Sequence, residues 1–264
     1  ATQDQIEDRF SYMKFLGLQP GDRIPERNTI WDFRESLERN GRNGSQRLFK
    51  RFDKLLEDES ITGHEGSIVD ASFVEAPRQR NTREQNETIK SGSRPEDFTE
   101  NVHRNRQKDC DGRWAKKNNQ TYYGYKNHTK LDAKTKLITN YTSTSASVHD
   151  SQVFEDFVDK TDNAIFADSA YFSEETESFI LEQCNAQDFV MFKAKKKHPL
   201  TDKEKATNKL RSRIRVRVEH VYGRMKQMGM EWIRNIGIKR ARQHNGLSCL
   251  VYNLHRYAFL GTSS

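Results

Sequence analysis

Two short apolar runs, one interrupted and one closed by a single aspartate, most constrain what this chain can fold into: Ser67 to Val74 (SIVDASFV) and Ala164 to Asp168 (AIFAD). Runs of this length and apolar content read as buried strands. A carboxylate in or beside such a strand costs free energy unless it is paired, hydrogen-bonded or bound to a metal. Asp70 and Asp168 are therefore the first candidates for chemistry. In open α/β sheets ligands gather near the carboxyl ends of parallel strands, and Asp168 lies there if its strand runs beside that of Asp70. Two carboxylates at about 4 Å repel by roughly 4 kcal/mol at an effective dielectric near 20, which a divalent cation would more than offset. Oxygen-only ligands favour Mg²⁺ or Mn²⁺ over zinc. Taken singly, each aspartate also fits a strand-end or turn role.

The rest of the chain frames these strands. Ile6, Phe10 and Met13 recur at helical spacing up to Gly17. Asn28 or Thr29 can cap a second helix carrying Ile30, Phe33 and Leu37, and Ser45 can open a third that buries Leu48, Phe52, Leu55 and Leu56. Residues 1–60 thus form a small helical region, whose helices around Gly41 and Gly44 are either a DNA-binding helix-turn-helix or plain packing helices. From Arg78 to Lys108 only Ile89, Phe98 and Val102 are large and apolar, which predicts a mobile loop or insertion spanning about 75–112. Thr121 to Leu131 and Lys136 to Thr144 read as a hairpin, His149 to Phe157 as a helix, and Asp188 to Phe192 as a further strand. Ser173 caps a short helix. A long helix over Lys209 to Met228 and a last one from about Arg242, burying Leu247, Leu250, Val251, Leu254 and Ala258, complete an α/β order with residues 61–264 as one domain.

Charge and composition narrow the partners. The net charge is +7, but Lys193 to Arg242 holds seventeen Lys or Arg against four acids, so this stretch carries +13 and the remainder −6. Phosphate neutralisation would draw a polyanion to such a face, although any one basic run also suits a solvated helix. The mean hydropathy of −1.00 comes with no apolar run long enough to span a bilayer and no signal peptide. A soluble protein of the cytoplasm, nucleoid-associated when on DNA, is the expectation. Cys110, Cys184 and Cys249 are too scattered for a disulfide framework or a Cys-x-x-Cys zinc site. The chain opens on Ala1 inside an apolar-periodic segment, so residues upstream are expected to have been lost.

Within the basic stretch, Arg215, Glu219, Tyr222 and Lys226 fall on one helical stripe, an acid between two bases. That pattern is either a set of surface ion pairs or a metal ligand, Glu219, flanked by phosphate-binding cations. Arg211, Arg213, Arg217 and Arg224 extend the basic surface. His149 and His220 qualify as metal or proton-transfer residues by type only.

The combination of SIVDASF, YYGYKNH (Tyr122 to His128), TSASVHDSQVF (Thr142 to Phe154), ADSAYF (Ala167 to Phe172) and RVRVEHVYGRMK (Arg215 to Lys226) resembles the DDE transposases of bacterial insertion sequences, specifically the insertion-sequence-five-like group. The segments EDRFSYMKFLGL and IPERNTIWDFRESL resemble the helical part that precedes the catalytic domain in that group. The resemblance implies an RNase H-like mixed sheet flanked by helices, with Asp70, Asp168 and Glu219 as catalytic acids binding two Mg²⁺ or Mn²⁺ ions. It further implies Arg215 and Lys226 on DNA phosphates, and a homodimer or larger assembly on element ends and target DNA. The family's tyrosine three positions before the arginine is Ser212 here, which puts any role of that tyrosine in doubt. Three functions stay open: a transposase, an RNase H-like nuclease that cuts without joining, and a decayed DNA-binding protein.

Overall fold

The computed structural model describes all residues except 1, 42, 64, 159, 196, 197 and 262–264, and the backbone alone at 40. Four helices open the chain: α1 (Thr2–Asp8), α2 (Phe10–Phe15), α3 (Arg27–Glu38) and α4 (Gly44–Asp58). The amphipathic spacing of α4 buries Ser45, Phe49 and Leu56, so its inward stripe is rotated from the expected one, and Leu48 and Leu55 are exposed. The cause is the partner: α4 lies on the last helix and sends Phe49 edge-on to the Tyr141 ring, 4.9 Å between centroids.

A six-stranded mixed sheet forms the centre, in agreement with the arrangement the resemblance implies. Its strands are β1 (Ser67–Glu75), β2 (Arg113–Lys117), β3 (Gln120–Asp132), β4 (Ile138–Ser145), β5 (Ala164–Ala167) and β6 (Gln187–Asp188). The expected hairpin is present as β3 and β4, antiparallel. β3 also pairs antiparallel with β1 and β2, whereas β5 runs parallel to both β1 and β6. Strand β2 was not foreseen. It is joined to β3 by Asn118 and Asn119, both at positive φ (50° and 62°), the two-residue turn geometry that matches strand twist. The strand expected over Asp188 to Phe192 is displaced and shortened to β6.

Alternation of side chains sorts the core into two faces. Ile68 and Phe166 share one cluster with Val218, Val221 and Met225; their neighbours Val69, Ile165 and Ala167 share the other with Phe154, Phe157 and Ile180. The segment expected to be a loop forms α5 (Arg83–Lys90), α6 (Glu96–Thr99) and α7 (Val102–Gln107). Their few apolar residues suffice to anchor them, because Ile89 and Phe98 are buried. Instead of a helix over His149 to Phe157 there is one 3₁₀ turn, Asp150–Val153, followed by α8 (Glu174–Ser178), which Ser173 caps as expected by accepting from Thr176 N–H.

The basic helix is two helices, α9 (Asp202–Arg215) and α10 (Arg217–Gln227), joined at Val216. There the Glu219 N–H bonds back to Val216 O at 3.1 Å, three residues away. The last helix, α11 (Ile238–Gly261), starts four residues early and buries Ala241, Gln243, Asn245, Gly246, Ser248, Cys249, Tyr252 and Asn253. The expected apolar stripe is largely outside: Val251 and Leu254 are exposed. Gly246 explains how α11 fits, since a Cβ there would collide with the Tyr141 hydroxyl. No helix among the described residues is long and apolar enough to cross a membrane.

Candidate active site

Register brings the two strand aspartates side by side. Val69 pairs with Ala167 across the parallel β1–β5 ladder, so Asp70 and Asp168 follow on adjacent strands, Asp168 immediately past the carboxyl end of β5. Asp70 lies two residues after Ile68 and so faces the same side as the α10 cluster. Its side chain is 9% exposed, and its carboxylate accepts from Ala71 N–H at 2.8 Å. Burial, augmented by the charge of Asp168, pushes the Asp70 carboxyl up to about 7 despite Arg215 and Lys117 nearby. Asp168 is half-buried and accepts from Ala170 N–H at 2.7 Å, which ties it to the turn beyond β5.

Arg215 closes the gap between the strands and the helix. Its guanidinium donates to Asp70 Oδ2 at 3.0 Å and lies 3.6 Å from Glu219 Oε1. Glu219 itself is exposed, with 56% of its side chain accessible. Among the described residues no three His, Cys, Asp or Glu side chains stand together as a ready metal cage. The three acids are thus distributed as a buried Asp70 with a half-buried Asp168 on the adjacent strand, and a solvent-facing Glu219 linked to Asp70 by an arginine. The donor set fits a hard divalent cation: the strand carboxylates offer only oxygen atoms, and burial makes the negative charge of Asp70 costly unless a cation answers it.

Beside Asp70 and Glu219 opens a cleft of ≈ 370 Å³ whose wall also includes Lys117, Gln120, Tyr122, Tyr222 and Lys226, while Asp168 and Arg215 lie outside that lining. The Tyr222 hydroxyl meets Thr129 Oγ1 at 2.8 Å, directly across from Asp70 in the β1–β3 register; burial, then the Asp70 charge, holds this phenol well above its ordinary pKa. Lys226 is paired with Glu231 at 2.9 Å and stays largely exposed. Lys117 was not anticipated. It ends β2 and reaches the cleft because the Asn118–Asn119 turn folds β2 back on β3, and that Asn-Asn pair before an alternating run was the signal that could have revealed it.

The remaining predicted residues have varied surroundings. Arg213 is exposed. Arg211 donates to the carbonyls of Val190 and Asp188 and stacks on Phe192, 4.5 Å to the ring centroid; Arg217 donates to Ala133 O. Both hold main-chain carbonyls of the fold. Arg224 bonds to Gln227 Oε1 at 3.1 Å and to His255. His149 caps the 3₁₀ turn by accepting from Ser151 N–H, and His220 Nδ1 meets Lys136 Nζ at 2.9 Å; neither lines the cleft.

No solved structure matches this chain. Residues 61–254 match the family described as the transposase DDE domain, a span that begins just before β1, contains both strand aspartates, Arg215 and Glu219, and ends within α11. The strand pair, the basic helix over it and this match across most of the sequence lead to one assignment: the chain belongs to the transposase DDE domain family.

Proposed function

We propose that this protein is the transposase of an insertion sequence of the insertion-sequence-five-like group, cutting element ends and joining them to target DNA with Mg²⁺ or Mn²⁺. The observation that carries the proposal is the placement of Asp70 within β1 beside Asp168 at the carboxyl end of the parallel β5, with Arg215 at the end of α9 bonded to Asp70 and Glu219 on α10 next to that arginine. In this reading Asp70 and Asp168 hold the ions from the sheet, and Glu219 completes the set by rotation of its exposed side chain. Two divalent ions, when bound, supply activation of the attacking water or 3′-hydroxyl and charge stabilisation at the leaving oxygen.

The chain's own residues do the rest. Lys117 and Lys226 in the cleft, with Arg215 beside Asp70 and the exposed Arg213 on α9, neutralise and position backbone phosphates. The sheet keeps Asp70 out of bulk water, which strengthens every charge interaction made there. No covalent protein intermediate is needed. Residues 61–264 form the catalytic domain in this proposal, and residues 1–60 a helical element that contacts DNA; a homodimer on paired ends is the working assembly.

The test uses purified protein, element-end DNA and Mg²⁺ or Mn²⁺. Cleavage is expected in the wild type and lost in Asp70→Asn, Asp168→Asn and Glu219→Gln, with DNA binding retained. Full cleavage by any of these variants removes that residue from the site. Precut ends that are bound but never joined, under conditions that permit cutting, would identify a nuclease. Metal-independent binding without cutting would identify a DNA-binding protein that has lost its chemistry.

A further inference from the structure

The Arg215 guanidinium lies between the carboxylates of Asp70 and Glu219. One of its terminal nitrogens donates to Asp70 Oδ2 at 3.0 Å, and the other is 3.6 Å from Glu219 Oε1. The remaining Asp70 oxygen, Oδ1, accepts from Ala71 N–H at 2.8 Å. Both oxygens of the buried carboxylate thus have a donor before any ion arrives. A magnesium ion binds a carboxylate oxygen at about 2.1 Å, so an ion on Oδ2 would stand against the guanidinium that bonds the same atom. With Asp70 buried, little water screens two positive groups this close.

The contact can open. Arg215 is the last residue of α9, next to the joint at Val216, and its Nε has no partner among the described residues. Its polar contacts are those of the guanidinium tip, and 21% of its side chain is accessible, so an anion can reach it from outside. A DNA backbone phosphate carries paired oxygens that match the guanidinium fork and take two of its N–H groups at once. Arg213, exposed on the same helix, and Lys117 on the neighbouring cleft wall draw such a phosphate in.

We propose that Arg215 is a latch on the metal site: in the DNA-free chain its guanidinium keeps a divalent cation off Asp70, and a backbone phosphate that takes the guanidinium releases the carboxylate to the ion. The inference rests on the reading that Asp70, Asp168 and Glu219 are the metal site, and adds an order of events to it, phosphate first and cation second. By linkage, each ligand then strengthens the other. Cutting is thereby confined to a chain already seated on DNA.

The experiment is a Mn²⁺ titration of the full chain without DNA at pH 8, with free Mn²⁺ read by electron paramagnetic resonance and folding of each variant checked by thermal melting in EDTA. Arg215→Gln is expected to bind Mn²⁺ about tenfold more tightly than wild type, a usual size for coupling between sites. Arg215→Lys, which keeps the charge, should stay closer to wild type. Asp70→Asn, alone and combined with Arg215→Gln, should remove binding. An arginine that merely orients Asp70 predicts the opposite sign: equal or weaker binding in Arg215→Gln, with Asp70→Asn still removing it, overturns the latch alone. So does equal tightening in the Gln and Lys variants, which assigns the effect to side-chain size. A saturating random DNA duplex should tighten Mn²⁺ binding more in wild type than in Arg215→Gln, after subtraction of ions bound to the duplex itself; an equal gain overturns the role of phosphate. The unaltered chain carries the test if Arg215→Gln does not fold: saturating Mg²⁺ without DNA should shift the Arg215 guanidinium nitrogens in ¹⁵N NMR, and ion binding that leaves them in place overturns the latch. No Mn²⁺ binding in either wild type or Arg215→Gln, or binding unchanged by Asp70→Asn, overturns the metal-site reading and this inference with it.

Discussion

The Arg215 guanidinium donates to the Asp70 carboxylate at 3.0 Å across 145 positions of sequence, and this bond ties the basic helix to the central strand. It makes one residue the counter-charge of a buried acid and, through the 3.6 Å approach to Glu219, the link to an exposed one. A cation at the strand aspartates and a phosphate beside them would both compete for these partners.

Arg215→Gln should therefore destabilise the protein in a pH-dependent way. Because burial raises the Asp70 carboxyl to about 7, its contribution favours the folded state at low pH and is lost as pH rises through that value. Arg215 offsets part of the loss. Urea denaturation in EDTA should show a cost of about 2 kcal/mol at pH 8, below the roughly 3–5 kcal/mol of a fully buried pair, and little cost at pH 5. Equal losses at the two pH values would show that Arg215 acts by packing alone.

Lys117→Ala should weaken DNA binding without unfolding the chain. The residue is exposed at the end of β2, lines the cleft, and its charge bears on Asp70. Loss of one phosphate contact reduces the slope of log affinity against log salt by about 1. Binding isotherms at several salt concentrations test this, and an unchanged slope would take Lys117 off the DNA path.

Gly246→Ala should cost about 1–3 kcal/mol through overpacking, because the added methyl meets the Tyr141 hydroxyl where α11 crosses β4. Tyr141→Phe in the same chain should recover part of that loss. Additive effects in the double-mutant cycle would mean that the backbone, rather than this hydroxyl, sets the approach.

Asp53 offers a pH test away from the cleft. Burial, with Glu57 adding to it, pushes this α4 carboxyl up to about 7, and its Oδ1 has no partner among the described residues. As for any acid with a raised folded pKa, stability is lost as pH climbs toward that value. Asp53→Asn should raise the melting temperature by about 2 °C at pH 8 and leave it unchanged at pH 4. A gain of the same size at both pH values would argue that charge is not involved.

What the sequence determined by itself is what neighbouring residues decide together. The strand around Asp70, the short strand ending at Asp168, the hairpin of β3 and β4 and the Ser173 cap follow from alternation, apolar runs and capping chemistry, all settled within a few residues. The family likewise rests on such local strings. The tertiary structure alone decided which faces meet. Helix α11 turns Asn253 inward because its amide bonds both the N–H and the carbonyl of Ile138 on β4, at 2.9 and 2.7 Å, so a polar residue holds a place that hydrophobic periodicity gave to Leu254. Helix α4 rotates to deliver Phe49 to Tyr141, and Arg211 turns to the carbonyls of Asp188 at the end of β6 and Val190 just past it. In each case the free energy comes from a partner distant in sequence, whose position no local pattern encodes.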